Sequence, residues 1–216
     1  MSKTRENFYL PSKELRATTN ADGSRSITGL IAYNKESSGL PWTETIAPGA
    51  FTDALKADAD VLLLRDHKQE SLLARTLSKT LVLEDTPIGL KFTANLSSNN
   101  SVALDTIDSI ERKDLTGVSF GFSANKDEWS EDGTGVMRTL LSVHLYEISV
   151  TSFAAFPDSS VSLSLRSVPE EYRSLLSGYA DENNDDEDDE WAKRSRMRVA
   201  LEQARTYAAY ISGHSN

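Results

Sequence analysis

The stretch LTGVSFGFSANKDEW, residues 115–129, sets Ser119 among glycines and phenylalanines at the start of an expected strand. A serine there is either a small residue where strands crowd together or a nucleophile that needs a base beside it. GVSFGF lacks the G-x-S-x-G spacing of the nucleophile elbow, so the local sequence leaves both readings open. Three histidines could serve as the base: His67, His144 and His214. His214 lies in a polar terminus, where side chains are seldom held for chemistry. His144 sits inside an apolar strand, as a half-buried structural histidine would, whereas His67 in LRDHKQ ends a strand, where an imidazole opens easily onto a cleft. Glu147, in HLYEISV, is an acid among apolar neighbours. Burying it without a partner is costly or raises its pKa, and a histidine is one partner that would relieve the cost.

Metal binding competes for the same groups. Asp66, His67 and Glu147 could hold a divalent cation, but neither H-E-x-x-H nor a histidine pair at ligand spacing is present. There is no cysteine, which removes disulfides, thiolate ligands and a cysteine nucleophile. Neither a metal nor another cofactor is expected.

The elements that must hold these residues follow from periodicity. ITGLIAY, from Ile27, reads as a strand. WTETIAPGAFTDALKAD reads as a short strand near Glu44, a Pro-Gly turn and a helical turn or two, with Phe51 and Leu55 on one side. ADVLLLRDHKQ is a buried strand running into Asp66 and His67, and the alternation around Pro87, Ile88 and Gly89 predicts a hairpin. Val102, Ile107 and Ile110 then form a helical stripe, capped by Asn100 or Ser101 and followed by Gly117. A long β-hairpin comes next, turning near Gly133. If Gly133 is its centre, Ser119 faces Glu147 directly across the strands, and regular alternation sends His144 to the other face. One bulge would shift this pairing.

After Arg166 the chain turns polar. PEEYRSLLSGY reads as a short helix, and DENNDDEDDE, residues 181–190, packs eight carboxylates into ten residues that repel one another into an extended spacer. Met197, Leu201, Ala204, Ala208 and Ile211 then recur at helical spacing, predicting an amphipathic helix. The expected organisation is an N-terminal segment (1–26), a folded body (27–166), a linker with the acidic run (167–190) and a helical tail (191–216). The net charge of −10 argues against general nucleic-acid binding. No window approaches the roughly 18 to 20 apolar residues of a membrane span, and the start of the chain has no apolar signal core, so a cytosolic protein without membrane contact is expected.

The blocks ETIAPGAF, LLLRDHKQESLLART, EDTPIGLKFTANL, DLTGVSFGF and LYEISVTSFAAFP, in this order, resemble the prohead proteases of tailed phages over about residues 27–166. Phe153 and Ala154 stand where many members have a proline before the alanine. The family is related in fold to the herpesvirus assembly proteases. The resemblance therefore implies a mainly β protein with flanking helices, built on a closed, mostly antiparallel β-barrel of the assemblin type. It implies serine endopeptidase chemistry in capsid maturation, with His67 as base, Ser119 as nucleophile and Glu147 as the orienting acid. The herpesvirus enzymes use a second histidine as third member, which would fall to His144 here. Arg75 is a candidate for stabilising the oxyanion. The implied substrates are the scaffold, or the scaffold-like arm of the major capsid protein, and the protease itself, inside the prohead in the host cytoplasm, where a homo-oligomer is allowed. A non-catalytic scaffold protein that kept the fold remains the alternative of a different class.

Overall fold

The structure is a computed structural model, and it describes residues 5–37, 40–57, 59–131, 135–152 and 168–179. Period-two alternation builds its longest elements, strands β9 (Gly117–Glu131) and β10 (Val136–Thr151), which pair antiparallel as the hairpin expected from sequence. One face of this ribbon carries Val118, Phe120, Phe122, Leu145, Ile148 and Val150 into the main core. The other face carries Ser119, Ser149 and Glu147. Each half of the sequence pattern therefore has one task, packing or chemistry.

Around the ribbon one sheet is completed by β1 (Glu6–Pro11) beside β9, and by β5 (Leu62–Arg65) and β6 (Lys68–Arg75) beyond β10. Strand β4 (Thr43–Ile46) pairs with the other half of β10. The second sheet has the order β2 (Arg16–Thr19), β3 (Arg25–Ala32), β8 (Gly89–Leu96) and β7 (Leu81–Thr86). Short helix α1 (Thr52–Lys56) follows β4, and α2 (Ser101–Glu111) joins the two sheets in sequence.

The expected barrel is not formed. Among the described residues both sheets are open, with β1 and β6 ending one path and β2 and β7 the other. A barrel needs a hydrogen-bonded ladder that runs all the way round. Here β3 lies against β9 and β6 against β8 without sharing a ladder, so the layers meet through apolar side chains such as Ile27, Ile31, Phe92 and Phe120. The pairing is mostly antiparallel, as expected, with β4 and β5 running parallel to β10. Hairpin signals in a sequence report neighbours joined by a turn; they carry nothing about such long-range parallel contacts.

Other expectations are met. The Asn100 carboxamide oxygen caps α2 by accepting from the Val102 and Ala103 N–H groups. The helix is closed by Lys113 in the left-handed region (φ 66°), ahead of Gly117, which instead opens β9. PEEYRSLLSGY forms α3 (Glu170–Arg173) and a 3-10 turn (Ser174–Tyr179). The hairpin tip near Gly133, the acidic run and the amphipathic tail lie outside the described residues.

At the far end of the ribbon Arg138 is 1% exposed and collects acids from three other strands. It donates to Glu6 at 2.5 Å, to Glu44 at 2.9 Å and to Asp127 at 2.7 Å. Burial pushes the Glu44 carboxyl up to about 7, against the pull of the Arg138 charge and with some help from Glu6. Folding thus raises this group's proton affinity, so its contribution to stability is complete below its unfolded value near 4.5 and is lost as pH rises through about 7. Relative to the wild type, Glu44→Gln should lose less melting temperature between those two pH values; parallel thermal melts check this, and equal slopes would contradict it.

Candidate active site

His67 is held by a turn as well as by a strand end. Asp66 and His67 are the two residues between β5 and β6, and both have positive φ, 53° and 58°. This is the handedness of a type I′ hairpin turn, usually filled by Asn-Gly or Asp-Gly, and each non-glycine residue there costs about 1–2 kcal/mol. Contacts to β10 offset that cost: the Asp66 N–H donates to the Val150 carbonyl at 3.1 Å and the His67 N–H donates to Ser149 Oγ at 3.1 Å. Left-handed backbone in residues with side chains, over-determined in this way, is typical of functional positions.

The imidazole meets Glu147. His67 Nδ1 lies 2.6 Å from Glu147 Oε1, and the Ser149 hydroxyl donates to the other carboxylate oxygen at 2.8 Å. Ser149 thereby ties the backbone of His67 to the acid that holds its ring. With Nδ1–H donated to a carboxylate, Nε2 of the neutral ring is the free acceptor, as a general base requires. Glu147 is 1% exposed, and Arg5 Nη2 stands 3.6 Å from Oε1. The acid among apolar neighbours has therefore found its histidine.

Ser119 lies on the same face, one row away. The expected pairing of Ser119 with Glu147 is replaced by Ser119 opposite Ser149 and Glu147 opposite Gly121. The first pairs of the ladder, from Glu131 opposite Val136, already run one residue off a Gly133 centre, and the step between Leu145 and Glu147 adds one more; the total of two keeps Ser119 and Glu147 on one face. The same step overturns the argument about His144. The register slips between Leu145 and Glu147, so His144 opposite Ser123 and Glu147 opposite Gly121 share a face. What separates them is contact, since the His144 ring lies edge-on to Tyr146 at 4.6 Å and the Glu147 carboxylate goes to His67.

Ser119 is completely buried. Neither its Oγ nor His67 Nε2 has a hydrogen-bond partner among the described residues, so no hydrogen bond joins the serine to the imidazole in this conformation. A nucleophile and a base on adjacent positions, with the base oriented by a buried acid, can carry out acyl transfer once the two reacting atoms meet.

Residues 12–174 match the family described as Caudovirus prohead serine protease. The chain belongs to that family. No curated protein matches it by sequence. Among solved structures it is similar to the bacteriophage T4 capsid assembly protease, with 10% identity, a TM-score of 0.45, and coverage of 68% of this chain and 95% of that one. A prohead serine protease needs a deprotonatable serine and a base, and those are the residue types gathered here.

Arg75 shares a cleft with Glu147, where Asp60 holds its guanidinium, its Nε donating to Oδ1 at 3.2 Å and its Nη2 to Oδ2. Asp66 faces Arg65 Nε at 3.6 Å. Among the described residues no three His, Asp or Glu side chains converge for a metal ion. Beside Glu147 opens a cleft of 390 Å³ with Leu62, Leu64 and Leu72 on its walls and Arg5 and Tyr146 at the site.

Three residues of the site were missed from sequence. Ser149 stands two places after Glu147, and alternation alone would have put it on the same face. Tyr9 and Arg5 carry no such signal, because β1 reaches β9 only through long-range pairing that sets Tyr9 opposite Ser119. Gly121 has a specific purpose in this site. A β-carbon there would lie 2.7 Å from Glu147 Oε1 and 3.0 Å from Arg5 Nη2. Gly121→Ala should displace the carboxylate from His67 and lower kcat by about 10- to 100-fold with a smaller change in KM; steady-state kinetics on a cleavable peptide decide it, and an unchanged kcat would refute it.

Proposed function

We propose that this prohead protease is a serine endopeptidase that uses Ser119 as nucleophile, His67 as general base and Glu147 as the acid that orients the imidazole. The substrates are the scaffold, or the scaffold-like arm of the major capsid protein, and the protease itself, cut during maturation inside the prohead. The observation that carries the reading is the 2.6 Å contact between His67 Nδ1 and the buried Glu147, one row from a buried serine whose hydroxyl has no hydrogen-bond partner among the described residues.

His67 Nε2 removes the proton as Ser119 Oγ attacks the peptide carbonyl. The imidazolium then gives that proton to the leaving amine, and the acyl-enzyme is released when water, deprotonated by the same imidazole, attacks the ester. Glu147 holds the ring and stabilises its positive form. Ser149 keeps both partners in place from the side.

Labelling the full chain with a fluorophosphonate and mapping the modified peptide tests the assignment. A label on Ser119 that disappears in His67→Ala supports it. A label on another serine, or none under conditions where capsid precursor is cleaved, refutes it.

A further inference from the structure

The resting arrangement hides its own reacting atoms. Ser119 Oγ and His67 Nε2 are both buried without a hydrogen-bond partner among the described residues. The β9 face that bears the serine cannot itself be the cover, since Gly117, Ser119, Gly121 and Ser123 follow one another along it and none is larger than serine. Across β10 the neighbour of Ser119 is another serine, Ser149. Across β1 it is Tyr9.

Tyr9 touches both halves of the site. Partners directly opposite on paired strands have Cβ atoms about 5 Å apart and share a face. From that position the Tyr9 ring meets the His67 imidazole edge-on, with centroids 5.4 Å apart. Burial, and after it the Glu147 charge, raises the pKa of its phenol, while the Ser119 hydroxyl works in the opposite direction. The phenol therefore stays neutral, and it lies in the field of the acid and beside the serine.

What backs Tyr9 is separate from the main core. Its ring belongs to a small apolar cluster on this side of the sheet with Leu40, Trp42, Val136, Val168 and Leu176. Small satellite clusters reorganise at lower cost than a central core. Strand β1 itself is anchored independently, by Phe8 in the main core and by Glu6 on Arg138. Tyr9 can therefore change rotamer while the strand stays in place.

We propose that Tyr9 is the cover of the active site: its ring closes over Ser119 and keeps the serine apart from His67, and cleavage requires that ring to swing away. The inference rests on Ser119 and His67 being the reacting pair. When the ring leaves, Ser119 Oγ and His67 Nε2 become each other's partners, and the substrate carbonyl gains the space the ring vacates. Tyr9 acts on the reaction through access and positioning, without exchanging a proton with substrate.

The test is the second-order rate at which a fluorophosphonate modifies Ser119 in the full chain, for the wild type, Tyr9→Phe and Tyr9→Ala. Tyr9→Ala should label at least about 10-fold faster, and Tyr9→Phe within about 3-fold of the wild type, because the ring and not the hydroxyl is the cover. A residue that merely supported the fold would slow labelling on removal, since the reagent reacts only with a serine activated by an assembled site. Should Tyr9→Ala not melt cooperatively, Tyr9→Leu takes its place under the same criterion; leucine keeps apolar contact with Leu40 and Trp42 but is too short to cover the serine. Labelling no faster than wild type in a folded variant overturns the cover, as does a loss of more than 10-fold in Tyr9→Phe. No label on Ser119 in any of the proteins overturns the assignment of the nucleophile, and the cover with it.

Discussion

Ser119→Ala is expected to lower kcat/KM for a capsid or scaffold substrate by about 10⁴- to 10⁶-fold while leaving the protein folded. The loss is large because, among the described residues on this face, Gly117 and Gly121 flank the serine, Ser123 pairs with the Tyr146 hydroxyl, and Ser149 is committed to Glu147 and the His67 N–H. His67→Ala should cost as much, and the double variant no more than either single one, since nucleophile and base act as a unit. The effect on stability goes the other way. Ser119 Oγ is buried and makes no hydrogen bond of normal geometry among the described residues, so its removal leaves no charged group without its partner. The melting temperature of Ser119→Ala should be equal to or above that of the wild type, which separates loss of chemistry from loss of fold. A variant that was both unfolded and inactive would say nothing of the nucleophile; one that is folded and fully active would remove Ser119 from the mechanism.

Glu147→Gln is expected to lower kcat by about 10²- to 10⁴-fold, the second-largest effect. The carboxylate has three neighbours, and the amide can satisfy them only in part. Its oxygen can accept from His67 Nδ1–H, but its NH₂ then faces the Ser149 hydroxyl, which must turn from donor to acceptor while it already receives the His67 N–H. Arg5 loses its anion. The imidazolium formed in the transition state is left without a counter-charge in a buried site, where such a charge matters most. His144→Ala is the control on the same face, edge-on to Tyr146, and should change kcat by no more than about 3-fold. If His144→Ala proved the more damaging of the two, the third member of the site would be the histidine.

The parts of this protease that its sequence makes legible are those decided by local physics. The β9–β10 ribbon, the β7–β8 hairpin and the Asn100 cap of α2 follow from alternation, turn residues and side-chain capping, and all are present. The pairing across the long ribbon was off by two residues, one because the ladder starts a residue away from a Gly133 centre and one from the step between Leu145 and Glu147 that no residue type announces, yet the face survived because the two add to an even number. The turn at Asp66 and His67 was invisible for a different reason. It lacks the glycine that marks a type I′ turn, and what holds it is Ser149 and Val150, more than 80 positions away in the chain. The expected barrel failed on the same ground: whether β3 and β9, or β6 and β8, share a ladder or only a core is decided between elements distant in sequence. Tyr9 and Arg5 belong with these, since β1 enters the site through pairing alone.

The most direct measurement is processing of the cognate capsid or scaffold precursor by the purified full chain, with the new termini read by mass spectrometry. Discrete new termini should appear with the wild type and be absent with Ser119→Ala at equal protein concentration. The same termini produced at the same rate by Ser119→Ala would contradict the assignment of Ser119 as the nucleophile.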